Sequence, residues 1–150
     1  MKKFDLAPNS TCWIYQSNRE LDATEIAWIE EKLQEFVGQW AAHGAKLTAQ
    51  GMVVGRHHVV IAVDQSFAGA SGCSIDASVR FIKSIGNELD VNFFDRLKLL
   101  VENENTSPRL IPFSEVKEYP NDFVYNNLVN TVSDFETKWK VKVSESPFFN

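Results

Sequence analysis

Leu47-Thr48-Ala49-Gln50-Gly51-Met52-Val53-Val54-Gly55-Arg56-His57-His58-Val59-Val60-Ile61-Ala62-Val63-Asp64 reads as a β-hairpin. In its first arm Leu47, Ala49, Gly51 and Val53 alternate with polar or variable partners, the period of a half-buried strand. Gly55-Arg56 makes the turn. Val59–Val63 is an uninterrupted apolar run ending at Asp64, as suits a central strand buried on both faces.

Helical periodicity lies on either side. Asp22 stands three before Glu25, a capping-box start. Ile26, Ile29, Leu33, Phe36, Val37 and Trp40 then trace one helix face, predicting a helix over 23–42 with Gly44 as its stop. Downstream, Ile75, Val79, Ile82, Ile85 and Leu89 mark a second amphipathic helix. Aromatic and β-branched residues predict a strand at Thr11–Gln16, and Leu97–Val101 reads as another. The order through residue 102 is therefore βαββαβ, as in ferredoxin-like folds. The expectation is an α+β domain, an antiparallel sheet with two amphipathic helices on one face. Residues 1–150 form one domain, with a 1–102 core and a 103–150 C-terminal elaboration. In that elaboration Glu102–Pro108 reads as a polar loop and Leu110–Phe113 as a short strand. Ser114 is a cap for helical turns up to Tyr119, and Phe123–Val129 is strand-like. Ser133-Asp134-Phe135-Glu136 is a capping-box pattern for a short last helix. Lys138, Lys140 and Lys142 alternate with Trp139, Val141 and Val143, a final strand whose lysines blunt a sheet edge.

Composition limits the function classes. The chain has 150 residues, 44% hydrophobic and 23% charged, enough to bury a core without disulfide or metal. Fifteen Lys and Arg stand against 20 Asp and Glu, a net charge of −5, with no basic half to track phosphates. Nucleic acid is therefore not an expected partner. Met1-Lys2-Lys3 is followed by Asp5, Pro8, Asn9 and Ser10 rather than an apolar export segment, and no run is long enough to span a membrane. Cys12 and Cys73 have neither disulfide-scaffold nor zinc-ligand spacing. The expected setting is the cytoplasm, with reduced thiols and no metal or other cofactor.

The segment that can carry chemistry is Asp64–Asp76, from the end of the buried strand to a helix N-terminus. Unpaired helix N–H groups attract anions, and Gly69 and Gly72 let a ligand approach the backbone. Ser66, Ser71 and Ser74 offer hydroxyls, and Cys73 falls in a first turn, where thiol pKa values drop. The candidate ligand residues are Asp64, Ser66, Ser71, Gly72, Cys73 and Ser74. The amides of Asn126 and Asn127 join them from the polar cluster that continues to Asn130 and Thr131. Helix capping by Ser71 or Ser74, and turn chemistry at the asparagines, account for the same residue types. Topology brings Cys12, His43, Asp64 and Cys73 toward one sheet edge, without metal-ligand spacing. The leading reading is a binding or interaction domain for a small anionic ligand or a protein partner, with no recognisable catalytic machinery. A thiol enzyme using Cys73, and nucleotide or other anion binding at the 64–76 turn, are the alternatives.

Trp13-Ile14-Tyr15-Gln16, the block from Val63 to Ile82 with its Ser71-Gly72-Cys73-Ser74-Ile75-Asp76 centre, and Asn126-Asn127-Leu128-Val129-Asn130-Thr131 resemble a family of Bacteroidetes proteins. Its members are often labelled "ABC transporter ATPase", and the resemblance implies no catalytic residues. The residues contradict the label. A P-loop needs Gly-x-x-x-x-Gly-Lys-Ser/Thr, and no glycine of this chain is followed by lysine.

Overall fold

The structure is a computed structural model describing residues 3–149; Met1 and Lys2, which open the sequence read for an export signal, lie outside the described residues. It is a mixed α/β domain with antiparallel sheets. β1 (Thr11–Gln16), β4 (Thr48–Val54) and β5 (His58–Asp64) form a three-stranded sheet ordered β1-β5-β4. β5 is central and every one of its residues is buried. Its continuous apolar run is thereby explained: Val59, Ile61 and Val63 enter one core, and Val60 and Ala62 enter another on the opposite face.

α1 (Ala23–Gln39) and α2 (Gly72–Leu89) cover the first of those faces with Ile29, Leu33, Val37, Ile82 and Ile85. Phe36 of α1 stacks on Phe81 of α2 with ring centroids 4.5 Å apart. Gly51 of β4 is needed where α1 crosses, since a Cβ there would stand 2.7 Å from Leu33 Cγ. Asp22 and Glu25 form the expected reciprocal cap. Arg19 clamps Glu25 with both terminal nitrogens and also donates to the Leu89 carbonyl, joining the start of α1 to the end of α2. That pairing holds the Glu25 carboxyl down to about 2.

α1 is shorter than its apolar pattern. It stops at Gln39, and β2 (Ala41–Ala42) and β3 (Ala45–Lys46) make a small hairpin. His43 and Gly44, both at positive φ, turn that hairpin instead of ending the helix. Trp40 still packs in the core, and its indole N–H donates to the Ser74 carbonyl at 2.8 Å.

The C-terminal part builds a second sheet. β6 (Lys98–Asn103), β7 (Thr106–Pro112), β8 (Phe123–Tyr125) and β9 (Lys140–Lys142) are ordered β7-β6-β8-β9. The segment read as a polar loop, Glu102–Pro108, is in fact the end of β6, a tight turn and the start of β7. Its polarity reflects solvent exposure of a hairpin end. The strand read through Val129 ends at Tyr125, because Asn126 and Leu128 turn the chain. A 3-10 helix spans Phe113–Glu118 with no side-chain cap from Ser114. α3 (Val132–Lys138) is capped by Thr131, whose hydroxyl accepts from the Asp134 amide, two residues before the predicted cap. Lys138 belongs to α3, leaving Lys140 and Lys142 on the edge strand β9. α3 and Trp139 close the second face of the first sheet, together with Phe4, Cys12, Met52 and Val54.

The fourth strand of the βαββαβ order thus does not join the first sheet. The outer edge of β1 is taken elsewhere. The Cys12 amide donates to the Asn130 carbonyl at 3.0 Å, and Thr11 bridges Thr131. At the other end the Gln16 side chain donates to the Lys98 carbonyl at 3.0 Å. β6 is linked to β1 by the Gln16 side chain rather than by a ladder.

Candidate functional site

The 64–76 turn is internally bonded. Asp64 Oδ1 accepts from the Ser66 amide and hydroxyl, and these bonds lower its carboxyl pKa. Ser71 is the cap of α2, its Oγ accepting from the Ser74 amide at 3.1 Å. Ser74 Oγ accepts in return from the Ser71 amide at 2.7 Å. The two serines therefore act as a pair. Gln65 laces the turn, donating to Thr11 Oγ1 and accepting from the Ala70 amide. A Cβ on Gly72 would meet nothing within 4 Å, and Cys73 is exposed beside it. Cys12 is buried, and desolvation, helped by Asp134, pushes its thiol up to about 12. No group of three or more His, Cys, Asp or Glu able to hold a metal occurs among the described residues.

Asn126 and Asn127 diverge. Asn126 Oδ1 accepts from the Leu128 amide, a turn-forming bond. Asn127 instead reaches across the molecule. Its Nδ2 donates to Gln16 Oε1 at 3.0 Å, and its Oδ1 accepts from Trp139 Nε1 at 2.9 Å. With the Gln16 bond to Lys98, this relay ties together β1, β6 and the end of α3.

Along that relay lies a cleft of about 400 Å³, lined by Ile14, Tyr15, Gln16, Phe93, Phe94, Arg96, Lys98, Leu99, Phe113, Asn127, Leu128, Pro147 and Phe148. It occupies the seam between β1 and β6, where the fourth strand of a single sheet would have paired. Nine of these 13 residues are apolar or aromatic. Phe113 and Leu128 are among the exposed large hydrophobics of the chain, at 52% and 65%. Arg96 and Lys98 supply two positive charges, with no ion-pair partner for either side chain among the described residues and no carboxylate in the lining. The Cys12 amide points to this edge of β1, so strand alternation turns the Ile14 amide the same way.

Of the eight residues singled out from sequence, only Asn127 lines this cleft. Asp64 ends β5 with Ser66 in the turn after it, Ser71, Gly72, Cys73 and Ser74 stay at the α2 start, and Asn126 stays in the 126–128 turn. Arg96 and Lys98 carried no motif, and Gln16 stood out only within the Trp13–Gln16 block of the resemblance. Leu97, exposed at 78%, Phe113 and Leu128 gave the available signal: large apolar residues set among polar turn residues. Compared with known proteins, the chain matches no family model, no curated protein and no solved structure. Among the described residues, no helix is long and apolar enough to cross a membrane.

Proposed function

We propose that this chain is a non-catalytic cytoplasmic binding domain whose seam cleft takes a small amphipathic anion, an apolar chain ending in a carboxylate. The observation that carries this reading is the pair Arg96 and Lys98, two cations without an ion-pair partner among the described residues at a mostly apolar cleft. Apolar walls with a few placed polar groups are the usual make-up of a small-molecule site. The carboxylate sits between the two cations, within reach of the Ile14 amide, and the chain runs against Phe93, Phe94, Leu99 and Phe148. Charge-assisted bonds of this kind are the stronger ones. The net charge of −5 speaks for a small molecule over nucleic acid.

The test is thermal unfolding with decanoate and with decanol, which differ only in the head group. A ligand that prefers the native state raises the midpoint. Decanoate is expected to raise it more than decanol, and Arg96→Gln with Lys98→Gln to remove that excess. Equal shifts from acid and alcohol, or none from either, would overturn the reading.

A further inference from the structure

Three consecutive residues of β1, Ile14, Tyr15 and Gln16, line the seam cleft. Successive side chains of a strand point to opposite faces, so a cleft that touches all three runs along the strand's edge. Tyr15 packs in the core beneath α1 and α2, and Ile14 packs against the core on the opposite face. Two flanking bonds fix which backbone groups this edge presents. The Ser17 amide donates to the His57 carbonyl at the entry to β5, whereas the Cys12 amide donates to the Asn130 carbonyl on the other side. In an antiparallel strand the N–H and C=O of one residue point the same way, and the direction alternates along the chain. Ile14 therefore turns both its N–H and its C=O outward, away from β5. No strand or loop among the described residues pairs with either group. An open strand edge is a template for a further extended group.

We infer that the ligand of the seam cleft is an N-acylated α-amino acid, bound as a single strand residue opposite Ile14, an assignment that rests on the apolar-anion reading of that cleft. One carboxylate oxygen accepts from the Ile14 amide. The ligand's own N–H donates to the Ile14 carbonyl, completing the exchange that two opposed residues make in an antiparallel pair. The other carboxylate oxygen faces Arg96 and Lys98, and the acyl chain lies against Phe93, Leu99 and Phe148. A plain alkanoate uses the amide and the cations but has no donor for the carbonyl. A site built to bond a ligand N–H discriminates against the analogue that lacks it. The same head group stands at the C-terminus of a peptide, so a free acyl amino acid and a peptide end are two sources of one chemistry.

The test is calorimetric titration of the whole protein with N-heptanoylglycine, O-heptanoylglycolate and decanoate, three acids of equal chain length. The first two differ only in an N–H replaced by oxygen. N-heptanoylglycine is expected to bind about tenfold more tightly than the ester, the worth of one hydrogen bond out of water. Labelling the isoleucine carbonyl carbon and the tyrosine nitrogen singles out the Ile14–Tyr15 peptide group, because Ile-Tyr occurs once in the chain. Its carbonyl resonance should shift with N-heptanoylglycine, and with the ester should stay where decanoate leaves it. Arg96→Gln with Lys98→Gln should weaken all three acids and keep the preference for the amide. An acetylated tripeptide ending in glycine separates the sources, binding more tightly than N-heptanoylglycine for a peptide-end site and more weakly for an acyl amino acid site. Decanoate binding that depends on the two cations, together with equal affinity for amide and ester or an unmoved Ile14 carbonyl, would overturn this inference and leave the apolar-anion reading standing. No binding of any of the three acids would overturn both.

Discussion

Asn127 donates its side-chain amide to Gln16 Oε1 at 3.0 Å, although the two residues belong to segments that pair with different sheets. The same asparagine accepts from the Trp139 indole, and Gln16 goes on to the Lys98 carbonyl. A chain of three side chains thus does what a β-ladder does elsewhere. It leaves room beside itself, and that room is the seam cleft.

Truncating Asn127 to Ala strands the Trp139 N–H and Gln16 Oε1 in a largely buried setting. A buried group left without its partner costs about 1–3 kcal/mol. Urea unfolding of Asn127→Ala should show a loss in that range with an unchanged slope. A neutral result would mean that the relay does not hold the sheets.

The glycines should divide by environment. A Cβ on Gly86 would stand 2.5 Å from the Val91 carbonyl oxygen, which is fixed because the Val91 amide closes the end of α2 on Gly86. Gly86→Ala should therefore lose about 1–3 kcal/mol, the usual cost of overpacking. Gly38, in the last turns of α1, has nothing within 4 Å of such a Cβ. Gly38→Ala should gain about 0.4–1 kcal/mol by restricting the unfolded chain. Equilibrium unfolding of the two variants reads both signs.

What the sequence makes legible follows from how local each signal is. The hairpin of β4 and β5 and the faces of α1 and α2 are periodic over many residues, and Asp22 with Glu25 marks its cap within four positions. The second sheet is different. β8 and β9 have three residues each, too short for a period to register. The departure of β6 is decided by residues far away in the chain, since Asn130, Thr131 and the Gln16 side chain occupy the edge it would have joined. The apolar pattern of α1 runs on to Trp40 because that residue is core, although it lies beyond the helix. At the α2 start, serine, glycine and cysteine announced a special turn. Reciprocal bonding between Ser71 and Ser74 accounts for the serines.

The two thiols should behave oppositely. Cys73 is exposed at the start of α2, and Cys12 is buried with its pKa raised. One equivalent of a disulfide reagent should react in the native protein and a second only after denaturation, because the thiolate is the reacting species and must be reached. Peptide mapping should place the first label on Cys73. Native labelling of Cys12 would contradict the packing of its side chain beneath α3.

His58 makes stability depend on pH. Its pKa is about 3 in the folded protein, by desolvation first and by repulsion from His57 second, against an ordinary value near 6.5. The depressed folded value means that the unfolded chain binds the extra proton. The contribution is fully present above about pH 6.5 and is lost as pH falls toward 3, by up to about 1.4 kcal/mol per pH unit. His57, also depressed by burial, contributes in the same direction. His58→Leu should flatten the acid limb of a stability–pH curve measured by urea unfolding from pH 4 to pH 8. An acid limb identical to wild type would contradict the burial of the imidazole.

Binding of an apolar anion in the seam cleft through Arg96 and Lys98 is open to direct measurement. Calorimetric titration with decanoate, below its micelle concentration and at two salt concentrations, tests it most directly. Wild type should bind one equivalent saturably, more weakly at higher salt, because exposed cations are screened. The double variant Arg96→Gln, Lys98→Gln should bind at least about tenfold more weakly, a loss of about 1.4 kcal/mol. No saturable binding by wild type, or equal affinity in wild type and the double variant, would contradict the account.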